Sequence, residues 1–515
     1  MMAKRLNGTT CCGVSGKLLK ISNFLALLYF TFALVVVVLF SNKLSYAAKQ
    51  IWAVHNAFFV MIAFVAGIIL VMLLIYLQRG RLFEILHDNT KFPRFLLTFA
   101  FVTLIIQQWI IRQAWFVTGW DAFGAVQEAI SPGYYAYAYS YYPNNLAIVG
   151  IFRLICKYTG QSSFDGAYLT IISIGGAIIC VSCTIVAFVA KKIMDSTFVG
   201  YVVFTVEAIY IAFSPQCMIP YTDAYGMLAP AILLGLYVSN LKSVAKAFLL
   251  TLTAIIGTYI KPNVFIVFIA MLIVGVLQSI QKKRPVCEII KAVLAIFAAT
   301  IIATSIGNAL KNFTIESGTI SNNDLSMSPA HYLMMGWNSD TGGGYSLADV
   351  EFSTSISSYS QRVEQNIDVF KQRINAMGPL GVLNMVIRKT LSNYSDGTGS
   401  WALDGSYFQQ VKGKNSFLIS LYGIGNAAPS PYTYFAQLIW MFILCGVVLQ
   451  WFSYSYDSAS LTIRLSLLGQ SLFLLIFECR SRYFVQFYPY FVIASILGWR
   501  AFKQELFAAL KRKNL

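Results

Sequence analysis

The sequence predicts an all-α polytopic membrane protein with about 11–13 transmembrane helices. Three observations carry that prediction. The 515 residues are 57% hydrophobic and only 11% charged, whereas soluble globular proteins carry about 25% charged residues. Apolar runs of about 20 residues, the length a helix needs to cross a bilayer, recur along the whole chain. The net charge of +17 comes from short basic clusters between those runs. That is the positive-inside pattern, and it argues against a nucleic-acid surface. Length alone would fit several soluble domains, but the apolar runs override that reading.

Taken in order, residues 1–112 hold three spans, near 22–41, 56–77 and 95–112. The basic start (Lys4, Arg5, Lys17, Lys20) and the loop with Arg79, Arg81, Lys91 and Arg94 set the cytoplasmic side. No small-residue cleavage site follows the first run, so it reads as a retained span and not a signal peptide. Residues 113–143 then form a first large external loop, and 144–307 a central bundle. Within it the run 164–190 ends inside at Lys191 and Lys192. Either 144–157 inserts only partly, or the long run folds into two passes near Gly175-Gly176. Further spans are expected near 196–214, 226–241, 247–260, 263–280 and 288–307. Residues 308–430 are too long and too patterned for a linker and read as a small external subdomain lying on the membrane. Within it "SQRVEQNIDVFKQRINAM" reads as an amphipathic helix with Val363, Ile367, Val369, Phe370 and Ile374 on one side. A second helix should start after Gly378-Pro379. Residues 431–515 add spans near 433–452, 459–477 and 484–499 and end inside as "KRKNL".

Nine cysteines are present, none of them in the long polar segment, so a disulfide framework is not expected. Cys180-x-x-Cys183 has redox or zinc spacing but lies inside an apolar run, where small buried thiols are the better reading. Asn7, Asn312 and Asn393 fit the glycosylation pattern, but nothing else points to a eukaryotic secretory context.

The chemistry-bearing residues gather at the outer ends of spans. Asp121 stands in "VTGWDAFGAVQEA", Asp223 in "YTDAYGM", and Lys261 between two apolar runs. Glu478, Arg480 and Arg482 follow the penultimate span. Ionisable groups near membrane depth are functional candidates, and here snorkelling at a span end lowers their cost. Arginines grip a phosphate through two parallel hydrogen bonds and a lysine acts as a point charge. A carboxylate can take a proton from an acceptor hydroxyl or help to hold a divalent ion on a pyrophosphate. The competing reading for Asp121 and Asp223 is a solvated or helix-capping acid. Arg153 lies in the 144–157 run and faces either the cavity or a carbonyl. His331, Trp337 and Asn338 in "SPAHYLMMGWN", with Trp401 and Asp404, are residue types that line sugar sites. For His331 a loop histidine bonded to backbone competes.

An acid in the first large loop, "YYPNN" opening the next helix, and a late "FECRSRY" together resemble the GT-C superfamily of integral membrane glycosyltransferases. The likeness is to the bacterial branch related to protein mannosyltransferases and aminoarabinose transferases. "SPAHYLMMGWNSDTGGGYSLADVEFS" is similar to the external loop of Gram-positive members, and the resemblance covers about 110–490. It implies a GT-C-like fold with external membrane-surface helices. It also implies an inverting glycosyltransferase with a polyprenyl-phosphate or polyprenyl-pyrophosphate donor and a glycolipid, glycan or protein acceptor. The site would face outward from a bacterial plasma membrane, with both termini cytoplasmic. The setting would be cell-envelope polysaccharide, teichoic acid or glycolipid assembly. By this resemblance Asp121 is the catalytic base, Asp223 a second catalytic acid near the donor, and Arg480 and Arg482 the lipid-phosphate ligands, with Lys261 as an addition. From their residue types and positions, Arg153 is counted with the phosphate ligands, and Tyr142, Glu478, His331, Trp337 and Asn338 with the residues that face the substrate. Some members use a divalent ion such as Mg or Mn and others do not. The chain departs from the family in two ways: two extra spans precede the acidic loop, and Glu128 follows Asp121 seven residues on in place of a paired Asp-Glu.

Two other classes fit a chain of this composition. A transporter or flippase for lipid-linked saccharides would show matching, Gly/Pro-broken halves, and the sequence has no such internal symmetry. A non-catalytic envelope-assembly scaffold is the third class, and the large external subdomain favours an enzyme over a transporter.

Overall fold

The computed structural model describes residues 14–40, 56–77, 88–135, 137–281, 285–401, 410–425, 429–453 and 457–513. Lys4, Arg5, Asn7, Arg79, Arg81 and Asp404 lie outside them. The protein is an all-α polytopic membrane protein. Among the described residues nine helices are long and apolar enough to cross a membrane, and Thr197–Ala212 and Thr222–Val238 are shorter apolar helices. With the buried C-terminal helix they bring the bundle within the expected range. Helices prevail because a backbone in hydrocarbon must satisfy its own N–H and C=O groups.

The first three are α1 (Val14–Phe40), α2 (Asn56–Leu77) and α3 (Phe92–Ala114). The first loop carries the short strand β1 (Phe116–Val117), then α4 (Trp120–Ile130) and α5 (Leu146–Thr159). Next come α6 (Phe164–Met194), α7 (Thr197–Glu207, continued by one π turn to Ala212) and α8 (Leu228–Val238). Then follow α9 (Ser243–Ile260), α10 (Val264–Gln281) and α11 (Val286–Glu316).

The long run at 164–190 is one continuous helix, so the two-pass alternative fails. Gly175 and Gly176 do not break it. They let Tyr225 and Gln107 pack against its axis. Both ends of α5 lie at the same end of the bundle. Its start meets Thr314 at the end of α11, and its far end leads to Phe164, whose ring lies tilted 4.9 Å from that of Phe123 of α4. Helix α5 therefore lies across that end, and α6 alone makes the crossing.

Helix α11 presents Ile290, Leu294, Phe297 and Ile301 outward, as lipid-facing residues should. Its buried stripe is Ala295, Ala299, Ala303 and Gly307, small residues four apart that let α9 approach closely. A Cβ on Gly307 would sit 2.3 Å from the Tyr259 ring. The helix runs to Glu316, beyond the apolar stretch that ended at 307, because its polar continuation still forms helix.

The segment after α11 contains α12 (Pro329–Gly336), α13 (Leu347–Thr354) and α14 (Tyr359–Tyr394). Helix α14 kinks at Gly378 (φ 59°, ψ −178°), directly before Pro379. This is the break that the Gly-Pro pair predicts, since the residue before proline avoids helical ψ. The predicted apolar stripe of its first half is only half-buried. The fully buried residues there are Arg362 and Asn366. Arg362 donates to the carbonyls of Asp324, Ser326, Ser353, Ile356 and Ser357. The short surrounding turns leave those carbonyls without helical partners, and one guanidinium supplies donors to all of them.

Strand β2 (Gln410–Val411) pairs antiparallel with β1, Phe116 opposite Val411. Helices α15 (Ser416–Tyr422), α16 (Pro431–Leu449), α17 (Ser458–Ile476) and α18 (Tyr488–Lys513) complete the chain. Cys180 and Cys183 are buried free thiols.

Candidate active site

At one end of the bundle the breaks between helices meet. Gly413 N donates to Trp115 O at 2.8 Å, Met327 N to Tyr141 O at 2.9 Å, and Cys479 N to Gly343 O at 2.9 Å. Gln216 Nε2 donates to Gly399 O at 3.0 Å. The first loop, the segment after α11 and the α17–α18 break are thus joined into one surface.

The α17–α18 break carries Glu478-Cys479-Arg480-Ser481-Arg482. Arg480 is extended (φ −167°, ψ 141°), and extended backbone sends alternate side chains to opposite faces. Cys479 and Ser481 point into the fold. The Cys479 thiol meets Gly342 O, and Ser481 Oγ donates to Asp396 Oδ2 at 2.6 Å. Asp396 also accepts from Thr398 N and Ser400 N, so the glycine-rich turn 395–401 holds the segment from beneath. Glu478, Arg480 and Arg482 take the other face. Burial pushes the Glu478 carboxyl up, and the guanidinium groups of Arg480 and Arg482 oppose that.

Trp120 opens α4 with φ 52°, a left-handed conformation that is strained for a bulky side chain and that concentrates at functional sites. Its ring meets Tyr221 edge-on at 5.0 Å, and the Arg482 guanidinium lies 4.4 Å over it. The next residue, Asp121, is exposed in the first turn of the helix. Gly119 is the N-cap, so Asp121 does not cap α4. It accepts one hydrogen bond, from the Tyr221 hydroxyl at 3.0 Å.

Asp223 has other surroundings. It lies buried in the helical turn Thr222–Gly226. Its Oδ1 pairs closely with Lys261 Nζ, and its Oδ2 is 3.8 Å from Arg482 Nε. Lys261 Nζ also reaches Thr222 Oγ1 at 3.3 Å. Burial pushes the Lys261 ammonium down, with Asp223 opposing and Arg482 adding to it. Gly226 allows this close packing, since a Cβ there would lie 3.0 Å from Lys261 Cβ. Beside it Gln486 is fully buried, and neither its amide nitrogen nor its oxygen finds a hydrogen-bond partner among the described residues.

Further phenols lie within electrostatic reach of the acid. Burial, and after it the charge of Asp121, pushes the Tyr142 and Tyr345 hydroxyls up. Burial, and after it Tyr142, Glu478 and Asp121 in turn, pushes the Tyr332 hydroxyl up. The structure therefore gathers Asp121, Asp223, Lys261, Tyr142, Glu478, Arg480 and Arg482, from distant parts of the chain, at one locus.

Other expected residues stand apart. Arg153 donates to Thr314 O, Glu128 O and Thr319 Oγ1, and Glu128 accepts from Gly133 N and Thr319. This knot locks α4, α5 and the end of α11 together, so Arg153 meets carbonyls and not a cavity. His331 Nδ1 lies 2.8 Å from Ser353 Oγ. Burial pushes its imidazole down to about 4. Asn338 holds Ser346 and Asp349 inside the segment after α11. Trp337 Nε1 donates to Ile476 O at 3.0 Å, beside the α17 end. Trp401 is buried against Tyr432.

Several participants escaped the sequence reading. Tyr332, Tyr345 and Tyr483 are three of 30 tyrosines. The local signal for Tyr483 was that it follows Arg482, whereas Tyr221 was visible with Thr222-Asp223 at a span end. Lys389 is buried and donates to Gly336 O and Phe477 O, each at 2.6 Å, which fixes the start of the charged segment. Burial pushes its ammonium down to about 8. Among the described residues no three His, Cys, Asp or Glu side chains are grouped to hold a metal ion.

No curated protein matches the chain. The profile of one family matches residues 17–503, nearly the whole length, site segments included. The chain accordingly belongs to the family described as "conserved hypothetical integral membrane protein".

Proposed function

We propose that the protein is a membrane glycosyltransferase of GT-C type that takes a sugar or glycan from a polyprenyl-phosphate-linked donor, in cell-envelope polysaccharide, teichoic acid or glycolipid assembly. The observation that carries the proposal is the division of labour between its acids. Asp223 is buried against Lys261 and Arg482, whereas Asp121 is exposed with one phenol partner. An exposed carboxylate beside an acceptor can receive a proton. An acid enclosed by two cations instead positions them.

In the proposed step an acceptor hydroxyl oxygen attacks the sugar carbon that bears the lipid phosphate. Its proton goes to Asp121 as the new C–O bond forms. The bond from that carbon to the phosphate oxygen breaks, and its electron pair leaves on the lipid phosphate. Arg480, Arg482 and Lys261 offset the charge gained there. Phenol rings at Tyr142 and Tyr345 offer faces for the sugar. We read the site end as extracytoplasmic, because Lys191, Lys192, Lys242, Lys246 and Arg500 gather at the opposite end.

The test is transfer from polyprenyl-phosphate sugars to bacterial glycolipid or glycan acceptors, with the protein in nanodiscs. Asp121→Asn should abolish transfer and retain donor binding, and Arg480→Gln with Arg482→Gln should weaken donor binding. Normal transfer by Asp121→Asn would sink the role of base. Wild-type protein without transfer from any such donor would sink the enzyme.

A further inference from the structure

A cavity lies apart from this site, lined by none of its residues. It has a volume of about 390 Å³ and is walled by α2, α7, α16 and α18. One wall runs from Ser196 to Val206, ten residues of chain that are mostly α7, or about 15 Å of helix at 1.5 Å per residue. That is about half of a 30 Å hydrocarbon core, the depth of one leaflet.

The slot is polarised along its length. Its deep part is apolar, with Val202, Val206 and Phe442. Arg500 and Lys503 stand at its other end, with Ser196 beside them. Arg500 donates to Met194 O at the α6 terminus and lies near Asp195, while Lys503 is half-buried next to Arg500. Among the described residues no acid lines the slot itself, Asp195 being the acid near Arg500, and the amino terminus of α7 opens at the cation level, which adds to the positive potential. Its width depends on Gly67, where a Cβ would meet the Trp499 ring at 2.1 Å. Trp499 stacks on Phe442 at 4.8 Å and keeps the inner wall flat.

We infer that this slot binds one acyl chain of an anionic phospholipid, with the phosphate at Arg500 and Lys503. The lipid would come from the leaflet opposite the candidate active site. A water-soluble anion would not need the apolar depth, and a zwitterionic lipid would not need both cations. The inference is independent of the proposed transfer reaction.

Native mass spectrometry of the intact protein, released from nanodiscs of phosphatidylglycerol or phosphatidylcholine, tests it. One phosphatidylglycerol should be retained in preference to phosphatidylcholine. Arg500→Gln with Lys503→Gln should weaken that preference about 25-fold, at about fivefold per basic side chain near an anionic lipid surface. Val206→Trp keeps both cations but fills the slot, and it should remove the retained lipid. Only folded protein of intact mass is counted, so a misfolded variant cannot imitate either loss. Equal retention of the two lipids by the wild type overturns the inference. So does an undiminished phosphatidylglycerol preference in either variant.

Discussion

Replacing each of the two site acids by its amide should have opposite consequences for stability and chemistry. Asp121→Asn changes an exposed side chain whose one hydrogen bond, from Tyr221, an amide oxygen can still accept. Its stability should therefore stay within about 0.5 kcal/mol of wild type, as for surface changes away from packed features. If Asp121 is the base, transfer should fall by roughly 10²–10⁴. Asp223→Asn leaves Lys261 buried without its carboxylate and takes a second partner from Arg482. Removing one member of a buried pair costs about 3–5 kcal/mol, because the remaining charge is uncompensated. Adding Lys261→Met to Asp223→Asn should return part of that loss. The assay is denaturant unfolding of the four proteins in matched nanodiscs, beside single-turnover transfer at saturating donor. Equal destabilisation by Asp121→Asn and Asp223→Asn would refute the assigned division. So would a double variant less stable than Asp223→Asn alone.

Burial lowers the His331 pKa from 6.5 to about 4. The unfolded chain therefore takes up the proton first, and stability present above pH 6.5 is lost as pH falls toward 4, by about 3 kcal/mol. His331→Gln should flatten that slope in unfolding experiments between pH 7 and 4, and an unchanged slope would place its origin elsewhere. Gly307→Ala should destabilise the protein by about 1–3 kcal/mol through overpacking against Tyr259. Adding Tyr259→Ala should relieve that clash, as thermal unfolding would report. Lys389→Met leaves the carbonyls of Gly336 and Phe477 without their donor, at about 1–3 kcal/mol each. It should also make the segment from Phe477 to Arg482 exchange amide hydrogens faster, measured by mass spectrometry.

The spans were legible because hydrocarbon leaves the backbone one main option, and a run of apolar residues announces it. The span at 56–77 is helical over all of its described residues, and the kink at Gly378 follows from local stereochemistry alone. The placement of α5 was not legible, since charge patterns report which side a loop occupies and not whether a short helix lies flat. The apolar stripe expected on α14 misled for a related reason. Periodicity assumes that burial follows hydrophobicity, and here Arg362 is buried because five carbonyls from short turns converge on it. The charged members of the site were visible because charge is rare in this chain. Tyr142 and Tyr221 were marked by their neighbours in the sequence, but Tyr332 and Tyr345 were not, since tyrosine is common and nothing local singles them out. Arg153 was open to either a cavity or a carbonyl, and its terminal nitrogens go to Thr314 O, Glu128 O and Thr319 Oγ1.

The site also has a history during synthesis. Asp121 and Arg482 are about 360 residues apart, so at about 5–20 residues per second the arginine emerges roughly 20–70 s after the acid. Asp223 and Lys261, by contrast, flank neighbouring helices and meet early. Each neutralises the other while the nascent bundle still lacks its last segments. The half-built protein therefore gains the Lys261 partner for Asp223 within 38 residues of synthesis, and Arg482 docks last against that pair.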